Sequence, residues 1–280
     1  MQNRAGRRPR RDGAVSGAAS AGGARERAPA ERDAGWWRDP ARIAGADRIA
    51  VFPAAWGESL WWQASQVDNL AAILDALQRR YNVDENRVYL LGASDGGTGV
   101  YFQAFRAATR WAAFLPFITN PLVLTNPSIG VDGQMYAANL ANRPFFVVNG
   151  GRDPLYPPGA LVPYIDLLRQ AGVRVDFRLQ RESGHNTSWW PAEAADMDAF
   201  IEGTARDPLP DRLAWETERT DRYHRIHWLM ITELGSAPGE SASEDLNTVT
   251  MRPPISMGVK MDGRSSAAPS AATGSAARYR

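Results

Sequence analysis

The sequence predicts an α/β fold in which a mainly parallel sheet is flanked by helices. Short apolar runs alternate along the chain with segments of helical periodicity, and these helical segments are roughly 10–15 residues long. The chain has 280 residues, of which 44% are hydrophobic and 22% charged, so it contains enough apolar side chains for one sizeable core.

The individual elements follow from the spacing of the apolar residues. The first strand is an apolar run that ends before Pro53, and the first helix carries Val67, Leu70 and Leu74 on one face. The predicted strands are 48–52, 87–91, 112–118, 145–148 and 173–179, with a possible further strand at 225–234. The predicted helices are 66–81, 96–106, 132–142, 158–170 and 191–201.

The two ends of the chain differ in composition from the middle. Residues 1–35 are mostly Arg, Ala, Gly and Ser, so we expect a disordered tail. Its arginines resemble the start of an export signal, but no convincing apolar stretch follows, and the compartment is left open. We expect a folded domain over residues 36–235. Residues 236–280 are of low complexity and are expected to be mostly disordered or a partial accessory segment.

Charge and composition exclude several classes of function. A net charge of +1 provides no global field for binding nucleic acid. The absence of Cys excludes disulfides, thiolate metal sites and a cysteine nucleophile, and no apolar run is long enough for a membrane span. His224 and His227 lie three residues apart, with Asp221 as the nearest carboxylate, and match no recognised metal-ligand spacing. We therefore expect no metal and no cofactor, and leave the oligomeric state open.

One motif points to nucleophilic catalysis. Gly92-Ala93-Ser94-Asp95-Gly96 fits the pattern G-x-S-x-G, directly follows a predicted strand and opens a predicted helix. This is the context of a nucleophile elbow, in which a sharp turn exposes the serine at the carboxyl edge of a sheet. The backbone N–H of Asp95 would donate to a developing oxyanion, and the side chain of Asp95 would shape the pocket. The alternative is a tight strand–helix turn with an incidental serine.

A serine nucleophile needs a base and a group that orients the base. His185 follows the strand at 173–179, and Asp153 follows the strand at 145–148 after a Gly-rich turn. The carboxyl ends of parallel strands share one edge of the sheet, so the three loops should meet there. The alternatives are a loop histidine bonded to local backbone and an Asp-Pro turn initiator.

Three segments together resemble a known superfamily. They are the stretch 81–97 around the elbow, the Asn149–Pro157 loop and the Ser183–Pro191 loop. On these motifs, residues 36–205 resemble the α/β-hydrolases. Within this superfamily they are similar to esterases related to poly(3-hydroxybutyrate) depolymerases and feruloyl esterases, and more distantly to the prolyl-oligopeptidase catalytic domain. The resemblance implies the triad Ser94, Asp153 and His185.

The chain departs from this superfamily at its beginning. Members have strands before the equivalent of 48–52, and one of these strands ends in a loop that gives the second oxyanion donor. We find neither strand nor motif in residues 1–35, so the fold is expected to lack its first strands. Either strand 48–52 shifts inward to pair with 87–91, or the fold is compromised.

The resemblance implies a serine hydrolase that cleaves small-molecule carboxylic esters through an acyl-enzyme. The alternatives are a peptidase of the prolyl-oligopeptidase type and a catalytically impaired relative. Tryptophans bear on the substrate, because Trp189 and Trp190 follow His185 closely and Trp61 and Trp62 follow a strand end on the same side. They either line an aromatic cleft or pack in the core.

Overall fold

The computed structural model describes residues 48–53, 55 and 59–235, together with the backbone of 11–18 and 277–279. The strands are β1 (Arg11–Ala18), β2 (Arg48–Val51), β3 (Val83–Ala93), β4 (Ala113–Phe117), β5 (Phe145–Gly150), β6 (Val175–Gln180), β7 (Leu213–Trp215), β8 (Arg225–Ile226), β9 (Leu229–Met230) and β10 (Ala277–Tyr279). The α-helices are α1 (Ala64–Arg80), α2 (Asp95–Arg106), α3 (Pro158–Gln170) and α4 (Trp190–Glu202). Short 3-10 helices lie at Ala108–Arg110, Pro121–Thr125, Pro127–Ile129 and Ala137–Asn142.

Six strands form one sheet in the order β2-β1-β3-β4-β5-β6, and all of its pairings are parallel. Alternate side chains of β3 enter two different cores. Val88 and Leu90 join the larger core under α1, α2 and α3, whereas Tyr89 and Leu91 join the smaller core under α4. The predicted parallel sheet with helices on both faces is therefore confirmed.

The prediction that residues 1–35 contribute no strand is wrong for residues 11–18. β1 lies between β2 and β3, and Val15 is paired with Val51 on one side and Leu90 on the other. β1 occupies the position at which the resemblance to the α/β-hydrolases implied a missing strand. β2 therefore does not shift inward to pair with β3. The rest of residues 1–35, for which disorder was expected, lies outside the described residues.

Two further elements differ from the sequence prediction. Only residues 137–142 of the helix expected at 132–142 are helical, and they form a 3-10 helix. Gly133 has a φ of 87°, which is not a helical conformation, and a Cβ built there would lie 2.4 Å from a carboxylate oxygen of Glu218. The conformation of residues 132–136 is therefore set by close packing against Glu218 rather than by helical periodicity. The strand expected at 225–234 is instead a hairpin of β8 and β9, which turns at His227 with a φ of 50°.

The chain beyond α4 returns to the face that carries α1, α2 and α3. The guanidinium of Arg106, 1% exposed, donates two hydrogen bonds of 2.8 and 2.9 Å to the carboxylate of Glu218. Buried ion pairs of this geometry keep both charges satisfied where water is excluded. In the segment expected to be mostly disordered, Ala277–Tyr279 forms a strand that pairs antiparallel with β7, and residues 236–276 lie outside the described residues.

Candidate active site

The turn between β3 and α2 holds Ser94 in a conformation that few residues adopt. Its backbone has φ 54° and ψ −121°, and its amide donates a 3.0 Å hydrogen bond to the carbonyl of Phe117 at the end of β4. A Cβ on Gly92 would lie 2.3 Å from the carbonyl oxygen of Gly96. The glycine of the motif is therefore required by the close approach of the strand and the start of the helix.

Asp153 lies just beyond the end of β5 and is almost completely buried, with 2% of its surface exposed. One carboxylate oxygen accepts hydrogen bonds from the amides of Leu155 and Tyr156, at 2.9 and 3.0 Å. The other lies 2.8 Å from Nδ1 of His185. These bonds fix the direction of the carboxylate before any substrate arrives.

His185 completes a chain of contacts between the three predicted residues. Its Nε2 atom lies 3.0 Å from Oγ of Ser94, while Nδ1 lies on Asp153. With Nδ1 protonated toward the carboxylate, Nε2 has a lone pair available for the serine hydroxyl. The structure thus brings together side chains that are 91 and 32 residues apart along the chain.

Close backbone packing holds the loop that carries Asp153, after β5, against the loop that carries His185, after β6. The amide of Gly151 donates to the carbonyl of Gln180 at 2.7 Å, and the amide of Arg152 donates to that of Ser183 at 2.9 Å. A Cβ on Gly150 would lie 2.3 Å from the carbonyl oxygen of Gly184. Only glycine at position 150 allows the two loops to approach this closely.

A buried polar network lies beneath the serine, and no sequence pattern indicated it. The hydroxyls of Thr98 and Thr119 lie 2.9 Å apart, and the side-chain Nδ2 of Asn149 donates to the backbone carbonyl of Thr119 at 3.1 Å. Ile118, between β4 and Thr119, has a φ of 42°, which is strained for a β-branched side chain. This network ties the ends of β4 and β5 to the first turn of α2.

An aromatic side chain lies beside His185. The ring of Tyr156 lies 5.5 Å from the imidazole, centroid to centroid. Burial, and then the charges of Asp95 and Asp153, raise the pKa of Tyr156 to about 12. Burial also raises the pKa of Asp95, while the charge of His185 acts in the opposite direction. Tyr156 was not predicted, and the only signal for it in the sequence is its place in the Asn149–Pro157 loop, three residues after Asp153.

Comparison with known proteins identifies the architecture. No family model and no curated protein matches the sequence. Among solved structures, a thermostable esterase superposes with a TM-score of 0.54 at 20% identity, covering 72% of this chain and 57% of the esterase. Esterase 2 of Thermogutta terrifontis, solved phosphorylated by paraoxon, gives 0.55 at 15% identity, covering 69% and 83%. A fluorophosphonate-binding serine hydrolase of Staphylococcus aureus gives 0.53 at 13% identity, covering 71% and 87%.

The chain has the α/β-hydrolase fold. Its sheet order, its strained Ser94 and the positions of Asp153 and His185 after successive strands accord with the resemblance drawn from the three loops. The chain spans 57% of the length of the thermostable esterase, so the activity and substrate of that protein are not transferred with the fold.

The four tryptophans expected near the cleft are each only 4–5% exposed. Trp189 and Trp190 pack edge-on against Phe117, with ring centroids 5.3 and 5.7 Å away. Trp62 donates through Nε1 to a backbone carbonyl at 2.9 Å, and Trp61 lines a small apolar cavity under α2. These are contacts of core packing, and a part for any of the four in binding substrate stays a prediction.

The other predicted features concern metals and membranes. Among the described residues, no group of three or more His, Asp or Glu side chains is arranged to hold a metal ion. His227 is buried against the guanidinium of Arg143, and its amide donates to Oγ1 of Thr109 at 3.2 Å. Within the part of the chain that the structure describes, no helix is both long and apolar enough to cross a membrane.

Proposed function

We propose that the protein is a serine hydrolase that cleaves carboxylic esters, with Ser94 as nucleophile, His185 as general base and Asp153 as the orienting acid. The observation that carries this proposal is the continuous chain of hydrogen bonds from Ser94 through His185 to Asp153, at 3.0 and 2.8 Å. The strained turn of Ser94 between β3 and α2 supports it, because this is the backbone geometry of a nucleophile elbow.

In the proposed reaction, Ser94 attacks the ester carbonyl as Nε2 of His185 takes its proton. Asp153 holds the imidazole in the correct tautomer and stabilises the imidazolium that forms. The imidazolium then protonates the leaving alcohol, the carbonyl–oxygen bond of the ester breaks, and an acyl-enzyme remains. Water attacks the acyl-enzyme with the same base, releasing the carboxylic acid and restoring Ser94.

The negative charge on the carbonyl oxygen needs hydrogen-bond donors. The backbone N–H of Asp95, at the start of α2, is the first donor. Ala18, the last residue of β1, is paired with Ala93, the residue before the nucleophile, so a described strand lies beside the elbow where none was expected. This pairing weighs against the alternative of a catalytically impaired relative, which rested in part on the absence of a strand at that position.

Two measurements test the proposal. Ser94→Ala should reduce kcat on p-nitrophenyl acetate by about 10⁶-fold and abolish labelling by a fluorophosphonate probe. Ser128→Ala, which changes an exposed serine hydrogen-bonded to Asn126, is the matched control and should change neither. Undiminished turnover in Ser94→Ala would refute the assignment, and comparison with matched p-nitroanilides separates an esterase from the peptidase alternative.

A further inference from the structure

An aromatic ring is the direct neighbour of the general base. The ring of Tyr156 lies 5.5 Å from the imidazole of His185, centroid to centroid, and the two ring planes meet at 57°. Neither side chain is fully buried, so both keep surface that a bound molecule can cover. A group bound at the imidazole therefore has the Tyr156 ring beside it.

The loop that carries Tyr156 is fixed before substrate binds. The amides of Leu155 and Tyr156 both donate to one carboxylate oxygen of Asp153, at 2.9 and 3.0 Å. Pro157 and Pro158 follow, and each proline ring restricts its own backbone torsion. A tyrosine side chain has few torsions to fix, so contact with this ring costs little conformational entropy.

The reaction decides which part of an ester lies next to His185. The imidazolium protonates the alcohol oxygen as it leaves, so this oxygen must come within about 3 Å of Nε2. The carbon chain of the alcohol begins at that oxygen, whereas the acyl chain begins at the carbonyl carbon bound to Ser94. The alcohol part of the ester is therefore the part nearest to the Tyr156 ring.

The surface that Tyr156 offers to the alcohol is apolar. An alkyl or aryl group that covers the face of the ring removes apolar area from water. A charged or hydroxylated group would lose water there without gaining a hydrogen bond from the ring face. Leu155, the preceding residue, is 54% exposed, so this loop keeps further apolar surface open to solvent.

Building on the proposed serine hydrolase function, we propose that Tyr156 determines specificity for the alcohol part of the substrate. The substrate class is then carboxylic esters of apolar alcohols, with an alkyl chain of several carbons or an aryl group. Methyl and ethyl esters and esters of sugars are disfavoured. The acyl chain leaves the reacting carbon along another bond, so Tyr156 has no part in selecting its length.

A different explanation gives Tyr156 a purely structural part, in which its ring only packs against the imidazole. That explanation predicts that removal of the ring lowers the rate for every ester by the same factor. A ratio of the rates for two esters separates the explanations, because a common loss of activity cancels in it.

The test uses two isomeric esters and a common reference. Hexyl acetate and ethyl hexanoate lengthen ethyl acetate by the same number of carbons, the first in the alcohol part and the second in the acyl part. Both acetates form the same acetyl-enzyme, so a difference in kcat/KM between them arises while the alcohol is still bound. Hydrolysis is followed by pH-stat, and the readout is kcat/KM for each isomer divided by that for ethyl acetate.

We expect the full-length wild type to prefer hexyl acetate to ethyl acetate by about tenfold, since each methylene that lies against one ring adds about twofold. Tyr156→Ala should bring this alcohol ratio below about threefold, whereas Tyr156→Phe, which keeps the ring, should retain it. The acyl ratio, for ethyl hexanoate, should be the same in all three proteins.

Two further variants guard against effects on folding. Tyr156→Gln keeps the length of the side chain without the ring, and it should lose the alcohol ratio as Tyr156→Ala does. Tyr81→Ala removes an exposed tyrosine that follows α1 and precedes β3, at the opposite end of that strand from Ser94. This matched control should keep both ratios.

The outcomes separate this inference from the proposed function. A wild type that hydrolyses hexyl acetate no better than ethyl acetate overturns the part given to Tyr156 and leaves the serine hydrolase intact. An alcohol ratio that survives in both Tyr156→Ala and Tyr156→Gln, or that is lost in Tyr156→Phe, overturns it as well, and so does an equal loss of the acyl ratio. Failure of the wild type to hydrolyse any ester or to react with a fluorophosphonate overturns both.

Discussion

Gly92→Ala perturbs the elbow with a single methyl group. The added Cβ would lie 2.3 Å from the carbonyl oxygen of Gly96, about 1 Å inside the 3.4 Å at which ordinary contact begins. The position of the Cβ is fixed by the backbone of Gly92 and the oxygen belongs to the backbone of Gly96, so the start of α2 must move away from β3 by a comparable distance. Ser94 lies between the two, and its 3.0 Å hydrogen bond to His185 does not tolerate such a shift.

A displacement of about 1 Å of a reacting group costs about 100-fold in rate, so we expect kcat on p-nitrophenyl acetate to fall by that factor or more. Overpacking at this turn should also lower the free energy of unfolding by about 1–3 kcal/mol. The two effects are separable, because activity is measured well below the denaturant midpoint.

Gly159→Ala is the matched control. The same substitution is made in α3, where an added Cβ meets nothing within 4 Å. It should raise stability by about 0.5 kcal/mol, since Ala loses less backbone entropy in a helix, and leave kcat unchanged. If Gly92→Ala retains kcat within about threefold of the wild type, the reasoning is refuted, because a displacement of Ser94 by about 1 Å should cost about 100-fold.

Three further predictions concern charge. Asp153→Asn should lower kcat by about 10⁴-fold, with the fold retained in the circular dichroism spectrum. A loss of kcat below about tenfold would contradict the role of Asp153 in orienting His185. Glu218→Ala leaves a guanidinium that is 1% exposed without its carboxylate, so urea unfolding should show a loss of about 3 kcal/mol; Glu182→Ala, in an exposed pair, should lose less than about 1 kcal/mol, and equal losses would contradict the argument from burial. Burial lowers the pKa of His227 from 6.5 to about 4, so the unfolded chain binds a proton that the folded protein does not. Stability present above pH 6.5 is therefore lost as the pH falls toward 4, by at most about 3 kcal/mol. His227→Gln should reduce this decline and His224→Gln should keep it, as measured by urea unfolding at several pH values, and an unchanged decline in His227→Gln would contradict the assignment.

The sequence was sufficient for those parts of the site that depend on local chemistry. A strained serine turn needs glycines at fixed offsets, and Gly92 and Gly96 mark it in the sequence. An acid and a histidine placed after successive parallel strands must lie at the same edge, which made Asp153 and His185 predictable. Long-range packing carries no such local mark, so the contact of Thr98 with Thr119 could not be foreseen, and for Trp189 the sequence left core packing and a place in the cleft as alternatives.

The segment that forms β1 was missed because a central strand does not need large side chains of its own. Its sequence, RDGAVSGA, contains a single large aliphatic residue, and composition alone favours disorder. A strand with neighbours on both sides, however, gains backbone hydrogen bonds along both edges, as the parallel pairing of Gly13–Val15 with both β2 and β3 shows. Composition indicates how much apolar surface a segment can bury, whereas β1 is stabilised by backbone pairing with β2 on one side and β3 on the other. The resemblance to the α/β-hydrolases implies a strand between 48–52 and 87–91, and the small side chains of β1 fill that position because its backbone pairs with both neighbours.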